Sequence, residues 1–284
     1  MRRRPAIGAR LAGTQLLALL LLEALFLAAC TSPQARIDAL ARRGGLEREI
    51  VPGGPFRHVI YRPRVRRIGS ELHVYLEGDG TPYIGRTIVA GDPTPRAPLA
   101  LELMLEDSAP TLYLGRPCYL GLAHDPPCNP SYWTLERFSP EVVQSLARAL
   151  ELELERFGPG RVTLIGHSGG AALALLLADR VGAVDRVITV AGNLDVGGWT
   201  RLHGYAPLSG SLDPMTSGPH RSDLMLLHLA GAADRNVPAT LIQGAAARLG
   251  GTVIVLPHFD HQCCWRRLWP RLLRHNFSDL SGFD

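Results

Sequence analysis

Lysine is absent from the chain: all 30 basic residues are arginine, set against 26 acidic residues. A lysine Schiff base and a serine–lysine catalytic pair are therefore excluded. Four of the arginines and one acidic residue lie in residues 1–29, which leaves 26 basic and 25 acidic residues in the rest of the chain. That near-neutral remainder holds no basic tract of the kind that binds nucleic acid, so we expect no nucleic-acid partner.

Long apolar runs are scarce as well, and the prominent one lies near the N-terminus. Residues 16–29 are apolar except for Glu23, follow an arginine-rich start and end in Leu-Ala-Ala directly before Cys30. A charged start, an apolar centre and a small-residue exit predict a signal peptide over residues 1–29 rather than a spanning helix.

The Leu-Ala-Ala-Cys sequence resembles the lipobox of bacterial lipoproteins. That resemblance implies lipidation of Cys30 and attachment to the membrane through the lipid. Thr31 follows the cysteine instead of the aspartate that often marks inner-membrane retention, which favours the outer membrane, facing the periplasm. The alternative is an ordinary signal peptide in which Cys30 has no such role.

Only four further cysteines are present. Cys118 and Cys128 flank a proline-containing loop, and in an oxidising compartment we expect them to form a disulfide. Cys263 and Cys264 are adjacent and form either a vicinal disulfide or a pair of buried thiols. This spacing lacks the C-x2-C pattern of zinc sites, so we expect no metal.

Apolar runs alternate with helical patterns along the rest of the chain. They predict an α/β fold with a mainly parallel sheet covered by helices on both faces. The predicted strands lie at 56–61, 71–77, 111–114, 162–165, 186–191, 224–229 and 252–256, and the predicted helices at 99–106, 139–157, 171–178 and 238–249, with a last amphipathic helix from Trp265. We expect a tether over 30–54 with a short helix within residues 31–50, one domain over 55–284, and pocket-covering loops at 81–98 and 192–222.

A glycine-rich turn joins the fourth of these strands to the helix that follows. Residues 166–170 read Gly-His-Ser-Gly-Gly and fit G-x-S-x-G, the turn that presents a nucleophilic serine between a strand and a helix. The small flanking residues suit so sharp a reversal. Ser168 is therefore the predicted nucleophile, and the N–H of Gly169 is a predicted donor to the oxyanion.

With the serine turn placed mid-chain, the order of elements over residues 55–284 resembles the α/β-hydrolase superfamily. Within it, the chain is similar to bacterial lipoprotein α/β hydrolases of poorly known function. The resemblance implies an α/β-hydrolase fold and places the catalytic acid and the histidine, in that order, after later strands.

Two loops match those positions. Asp234 lies in Gly-Ala-Ala-Asp-Arg-Asn-Val-Pro and resembles the superfamily's acid loop, whereas Asp195 follows the preceding strand and is the main rival. After the last strand, His261 follows an aspartate and precedes a tryptophan, which resembles the usual histidine context better than His258 does.

The second oxyanion donor is expected in the loop after the early strand, Glu77-Gly78-Asp79-Gly80. Glu77 stands where the superfamily commonly has histidine, which leaves open whether Asp79 or Gly80 supplies the N–H. We favour Asp79, provided that its carboxylate points away or binds a neighbouring donor.

These assignments predict a serine hydrolase that cleaves carboxylic esters of small molecules or lipids through an acyl-enzyme, without cofactor or metal. Lipase, thioesterase, amidase or peptidase activity on the same residues remains open. A non-catalytic envelope lipoprotein that uses the fold for binding is the alternative from a different class.

Overall fold

The computed structural model describes residues 32–65, 69–85, 87–158, 160–218, 221–274 and 277. Its strands are β1 (Leu46–Gly53), β2 (Phe56–Pro63), β3 (Glu71–Leu76), β4 (Tyr83–Ile84), β5 (Ile88–Val89), β6 (Thr111–Leu114), β7 (Arg161–His167), β8 (Val184–Val190), β9 (Met225–Gly231) and β10 (Thr252–Leu256). Eight of them form one sheet in the order β1-β2-β6-β3-β7-β8-β9-β10, and β4 and β5 form a separate hairpin. β1, β2 and β6 pair antiparallel, and the pairs from β6 to β10 are parallel.

Helices cover both faces of the sheet, as predicted. They are α1 (Pro33–Arg43), α2 (Leu99–Leu105), α3 (Pro140–Phe157), α4 (Gly169–Ala178), α5 (Val196–His203), α6 (Pro214–Ser217), α7 (Ala239–Leu249) and α8 (Trp265–Arg274). Buried residues of α3, α4 and α7 share one hydrophobic core, and those of α1, α2 and α8 share the other. Within the described ranges, no helix is long and apolar enough to cross a bilayer.

The N-terminal segment contains the expected short helix, as α1, but it packs against the domain instead of forming a free tether over residues 30–54. α1 buries Ile37 and Ala41 against the domain, and β1 pairs with β2 along the edge of the sheet. Most of β1 is exposed or half-buried, and Leu46 and Val51 supply its buried side chains. An edge strand that exposes its charged residues has the amino-acid composition of a linker. For this reason the sequence alone does not predict β1 as a strand. The predicted signal peptide and Cys30 lie outside the described residues.

Helix α4 lies unusually close to the centre of the sheet. All ten of its residues are buried, from Gly169 to Ala178. A Cβ at Gly170 would lie 2.2 Å from the carbonyl oxygen of Leu76, so only glycine permits this approach to β3. The close contact fixes the start of α4 against the end of β3, where the predicted serine and oxyanion loops meet.

Two stretches predicted as loops contain short elements. Residues 192–222 hold α5 and α6, and residues 81–98 hold the β4–β5 hairpin. The start of α5 is Val196-Gly197-Gly198, a poor helix-forming sequence. The carboxylate of Asp195 offsets this by accepting the N–H of Gly198 over 2.6 Å.

The parallel strands bring distant parts of the chain to one edge. Leu76 pairs with Gly166 and His167 with Val190, so β3, β7 and β8 end side by side. At the other side, Leu256 at the end of β10 pairs with Gly231 at the end of β9. The loops that follow these strands therefore converge at the carboxyl edge of the sheet, where open α/β folds bind ligands.

Candidate active site

Ser168 occupies the sharp turn between β7 and α4. Its backbone has φ 53° and ψ −120°, a region that non-glycine residues rarely adopt. The turn is held on both sides: the N–H of Ser168 donates to the carbonyl of Val190, and its carbonyl accepts from Asn193, each over 3.0 Å. The arrangement presents the hydroxyl at the carboxyl edge of the sheet.

The structure brings Ser168, His261 and Asp234 together. The distance from Ser168 Oγ to His261 Nε2 is 3.0 Å, and that from His261 Nδ1 to Asp234 Oδ2 is 2.8 Å. The other oxygen, Asp234 Oδ1, accepts the N–H groups of Asn236 and Val237 over 2.8 and 2.9 Å. The buried carboxylate is thereby held in one orientation, with its second oxygen free for the imidazole.

The rival residues from the sequence lie elsewhere. The carboxylate of Asp195 caps α5, and no hydrogen bond among the described residues joins it to His261. His258 is exposed and has a positive φ of 61°. The geometry therefore favours Asp234 over Asp195 and His261 over His258.

Asn236, two residues after the acid, is a site residue that the sequence reading missed. Its Nδ2 lies 2.9 Å from His261 Nε2, the same atom that faces Ser168. With the Nδ1 proton donated to Asp234, Nε2 carries the lone pair, and the hydroxyl and the amide both approach it. The signal in the sequence was its place in the acid loop, two residues after Asp234.

The loop after β3 lies directly over the serine. A Cβ at Gly78 would lie 3.2 Å from Ser168 Cβ. The N–H of Gly169, at the start of α4, and the N–H groups of Asp79 and Gly80 have no acceptor among the hydrogen bonds of the described residues. Gly169 and either Asp79 or Gly80 are thus available on the loops that flank the nucleophile, and Asp79 stays the predicted second donor.

Asp79 is held by three side chains that the sequence reading did not assign. Its carboxylate pairs with Arg116 over 2.9 Å and with Arg137 over 2.7 Å, and its backbone carbonyl accepts the hydroxyl of Tyr119 over 2.9 Å. Burial raises the pKa of Asp79, but the two guanidinium groups outweigh burial and hold the pKa below its usual value. The carboxylate is therefore ionised and tied to donors.

Glu77 and His167 have supporting contacts. The buried carboxylate of Glu77 accepts the N–H groups of Ala100 and Leu101 over 3.1 and 3.4 Å, and so binds the start of α2. His167 contacts the backbone carbonyl of His261 through Nε2 over 3.0 Å. These contacts join the loop after β3 and the histidine loop to the rest of the domain.

The predicted cysteine pairs are also close in space. The sulfur atoms of Cys118 and Cys128 lie at bonding distance, and their Cα atoms lie 5.5 Å apart. The sulfur atoms of Cys263 and Cys264 likewise lie at bonding distance. The loop between Cys118 and Cys128 begins just after Arg116 and contains Tyr119, so it carries part of the support for Asp79.

A cavity of about 370 Å³ opens beside these groups. It is bounded by the loop after β3, by residues 95–97, by the nucleophile turn and by the histidine loop. Trp199 of α5, Arg137 and Asn236 also line it. The predicted covering stretches 81–98 and 192–222 thus both contribute residues to the cavity.

Comparison with protein-family models found no match, and comparison with curated proteins found none. Solved structures, in contrast, superpose over most of the chain. A proline iminopeptidase-related protein from Thermus thermophilus is 17% identical, with a TM-score of 0.54, over 82% of this chain and 95% of that chain. A Pyrobaculum calidifontis esterase is 13% identical, with a TM-score of 0.54, over 96% of this chain and 94% of that chain.

An esterase/lipase from an uncultured bacterium is similar at 13% identity and a TM-score of 0.52, over 88% of this chain and 92% of that chain. These identities are low, and the shared property is the fold. Together with the eight-stranded, mostly parallel sheet and its helices on both faces, they show that this protein has the α/β-hydrolase fold. The fold predicted from the sequence is confirmed.

Proposed function

We propose that the protein is a serine hydrolase that cleaves carboxylic esters through an acyl-enzyme. The observation that carries this proposal is the position of His261 between Ser168 and Asp234, with both ring nitrogens within hydrogen-bond distance of a partner. A serine hydroxyl is a weak nucleophile at neutral pH, and an oriented imidazole is the group that activates it.

In the first half-reaction, Ser168 Oγ forms a bond to the ester carbonyl carbon while its proton passes to His261 Nε2. Asp234 stabilises the resulting imidazolium and keeps the ring in place. When the tetrahedral intermediate collapses, the carbon–oxygen bond to the alcohol breaks and His261 protonates the departing oxygen. The acyl group remains on Ser168.

In the second half-reaction, water attacks the acyl carbon and His261 accepts its proton. The bond to Ser168 then breaks, His261 returns the proton to the serine oxygen, and the carboxylic acid leaves. In both tetrahedral intermediates the N–H groups of Gly169 and Asp79 bind the oxyanion. Gly169 suits this role because it begins a helix, where N–H groups lack partners within the helix.

Labelling with a fluorophosphonate probe tests the nucleophile. The wild-type protein should be labelled and should hydrolyse 4-nitrophenyl acetate, and Ser168→Ala should lose both properties. Ser209→Ala, at an exposed serine outside the site, is the control and should keep both. Absence of labelling and turnover in folded wild-type protein would indicate a binding module instead of an enzyme.

The resemblance of the N-terminus to a lipoprotein signal supports a second proposal, that Cys30 is lipidated and holds the domain at the bacterial envelope, on the periplasmic side of the outer membrane. In that oxidising compartment Cys118 and Cys128 would form a disulfide. Mass spectrometry of the mature N-terminus tests the anchor, because an unmodified Cys30 would contradict it.

A further inference from the structure

The cavity beside Ser168 is lined by two acidic and two basic side chains, and the basic pair is the one available to a ligand. Its two acidic lining residues, Glu77 and Asp79, are already bound: Glu77 by the N–H groups that begin α2, and Asp79 by Arg116 and Arg137. An incoming cation would have to compete with these contacts. The carboxylates of the lining are therefore poorly placed to recognise a positively charged substrate.

The two basic lining residues are Arg96 and Arg137. Arg96 is exposed at residues 95–97, and the ion pairs of the described residues do not include it. Arg137 is buried and donates Nε to the carbonyl of Thr134 over 2.6 Å and Nη1 to Asp79 over 2.7 Å. Those two bonds leave its Nη2 without a hydrogen-bond partner in the described part of the chain.

The neutral lining residues contribute polar groups and no long aliphatic side chain. Asn236 and Gln262 contribute amides, and the apolar contribution comes from prolines, Ala97 and Trp199. A cavity of about 370 Å³ with this lining does not resemble a channel for a long acyl chain. It suits a small substrate with a polar or charged end.

We propose that the site selects small esters that carry an anionic group such as a carboxylate, which the guanidinium groups of Arg96 and Arg137 bind while the ester carbonyl lies at Ser168. The inference rests on the proposed hydrolase function and names its substrate class. Guanidinium groups suit this task because they are permanently charged. Arg96 can bind a carboxylate with two parallel hydrogen bonds, and Arg137 can add one from its unpartnered Nη2.

The test compares esters that differ in one charge. The acyl pair is mono-4-nitrophenyl adipate and 4-nitrophenyl hexanoate, in which the carboxylate is too distant to attack its own ester rapidly, and the alcohol pair is 4-acetoxybenzoate and its methyl ester. In at least one pair, wild-type kcat/KM should be about fivefold or more higher for the anionic ester, as a charge-assisted hydrogen bond would provide. Since Arg96 is exposed, Arg96→Gln should reduce that ratio by about threefold.

Arg137→Gln should reduce the same ratio, and the ratio rather than the absolute rate is the readout because Arg137 also contacts Asp79. Arg148→Gln removes an exposed arginine of α3 outside the cavity and should leave the ratio unchanged. Equal or better hydrolysis of the neutral ester in both pairs would overturn the inference, as would a preference that survives both variants. Failure of every ester with folded protein would instead overturn the proposed function.

Discussion

Asp79 and Gly169 are in contact across the two loops that flank the nucleophile. A Cβ at position 169 would lie 1.9 Å from Oδ1 of Asp79. Because Arg116 and Arg137 hold that carboxylate, it cannot turn aside freely. The absence of a side chain at Gly169 therefore makes room for the carboxylate of Asp79 beside the start of α4.

We expect Gly169→Ala to lower kcat by about 100-fold or more, since the added methyl group would displace one of the two oxyanion donors. Gly244→Ala is the matched control. A Cβ at Gly244, in α7, would meet no atom within 4 Å, and alanine there should stabilise the helix by about 1 kcal/mol. Steady-state kinetics and thermal unfolding of both variants check this, and near-normal kcat in Gly169→Ala would contradict it.

Substitution of Asp234 and Asp195 tests which of the two aspartates is the catalytic acid residue that orients His261. Asp234→Asn should lower kcat by roughly 1,000-fold or more, because asparagine cannot both keep its backbone contacts and hold His261 in the required tautomer. Asp195→Asn should stay within about threefold of wild type, since asparagine is as good a helix cap as aspartate. Kinetics with a neutral ester measure both, and the reverse order of effects would refute Asp234.

The loop bounded by Cys118 and Cys128 should contribute to stability and to rate. Replacing both cysteines with serine should lower the free energy of unfolding by about 2–3 kcal/mol through the lost cross-link. It should also lower kcat, because the loop contains Tyr119, which binds Asp79. Replacing Cys263 and Cys264 is the comparison that removes the other pair. Unchanged denaturation and kinetics in the Cys118/Cys128 variant would contradict this prediction.

His58 should make the fold sensitive to acid. Burial lowers its pKa from 6.5 to about 4, although a hydrogen bond to Gly115 opposes the change. Below pH 6.5, His58 is protonated in the unfolded chain but stays neutral in the folded protein until the pH approaches 4. The free energy of unfolding should therefore fall as the pH decreases from about 6.5 to 4.

The pH dependence of unfolding checks the prediction for His58. Denaturant unfolding of wild type and His58→Gln from pH 7.5 to 4.5 should give a shallower pH dependence for the variant, even if the variant is less stable at pH 7.5. His124→Gln, at an exposed histidine, should keep the wild-type slope. Parallel curves for wild type and His58→Gln would contradict a buried, neutral His58.

Local patterns predicted the fold and the positions of Ser168, Asp234 and His261. Each of these residues follows a strand with a recognisable apolar run, and the resemblance to the α/β-hydrolase superfamily supplied their order along the chain. The choice of Asp234 over Asp195 and of His261 over His258 rested on the sequence of the surrounding loop. Arg116 and Arg137 gave no such signal. Their role depends on contact with Asp79, which lies 37 and 58 residues earlier in the sequence, and only the folded chain brings them together.

Two elements that the sequence-based prediction missed, β1 and α5, were missed for a similar reason. The exposed charges of β1 masked its alternation, and the two glycines at the start of α5 masked a helix that Asp195 and Asp213 stabilise by accepting its first N–H groups. In both places tertiary contacts outweigh the local preference of the sequence.

Helix α1 begins at Pro33, three residues after Cys30, and packs against the body of the domain through Ile37 and Ala41. If Cys30 carries a lipid, the connecting residues span at most roughly 10 Å. The domain would then rest almost on the lipid headgroups, with little freedom to rotate or to reach outward. An esterase held in this way would select its substrates by their height above the bilayer as well as by their chemistry.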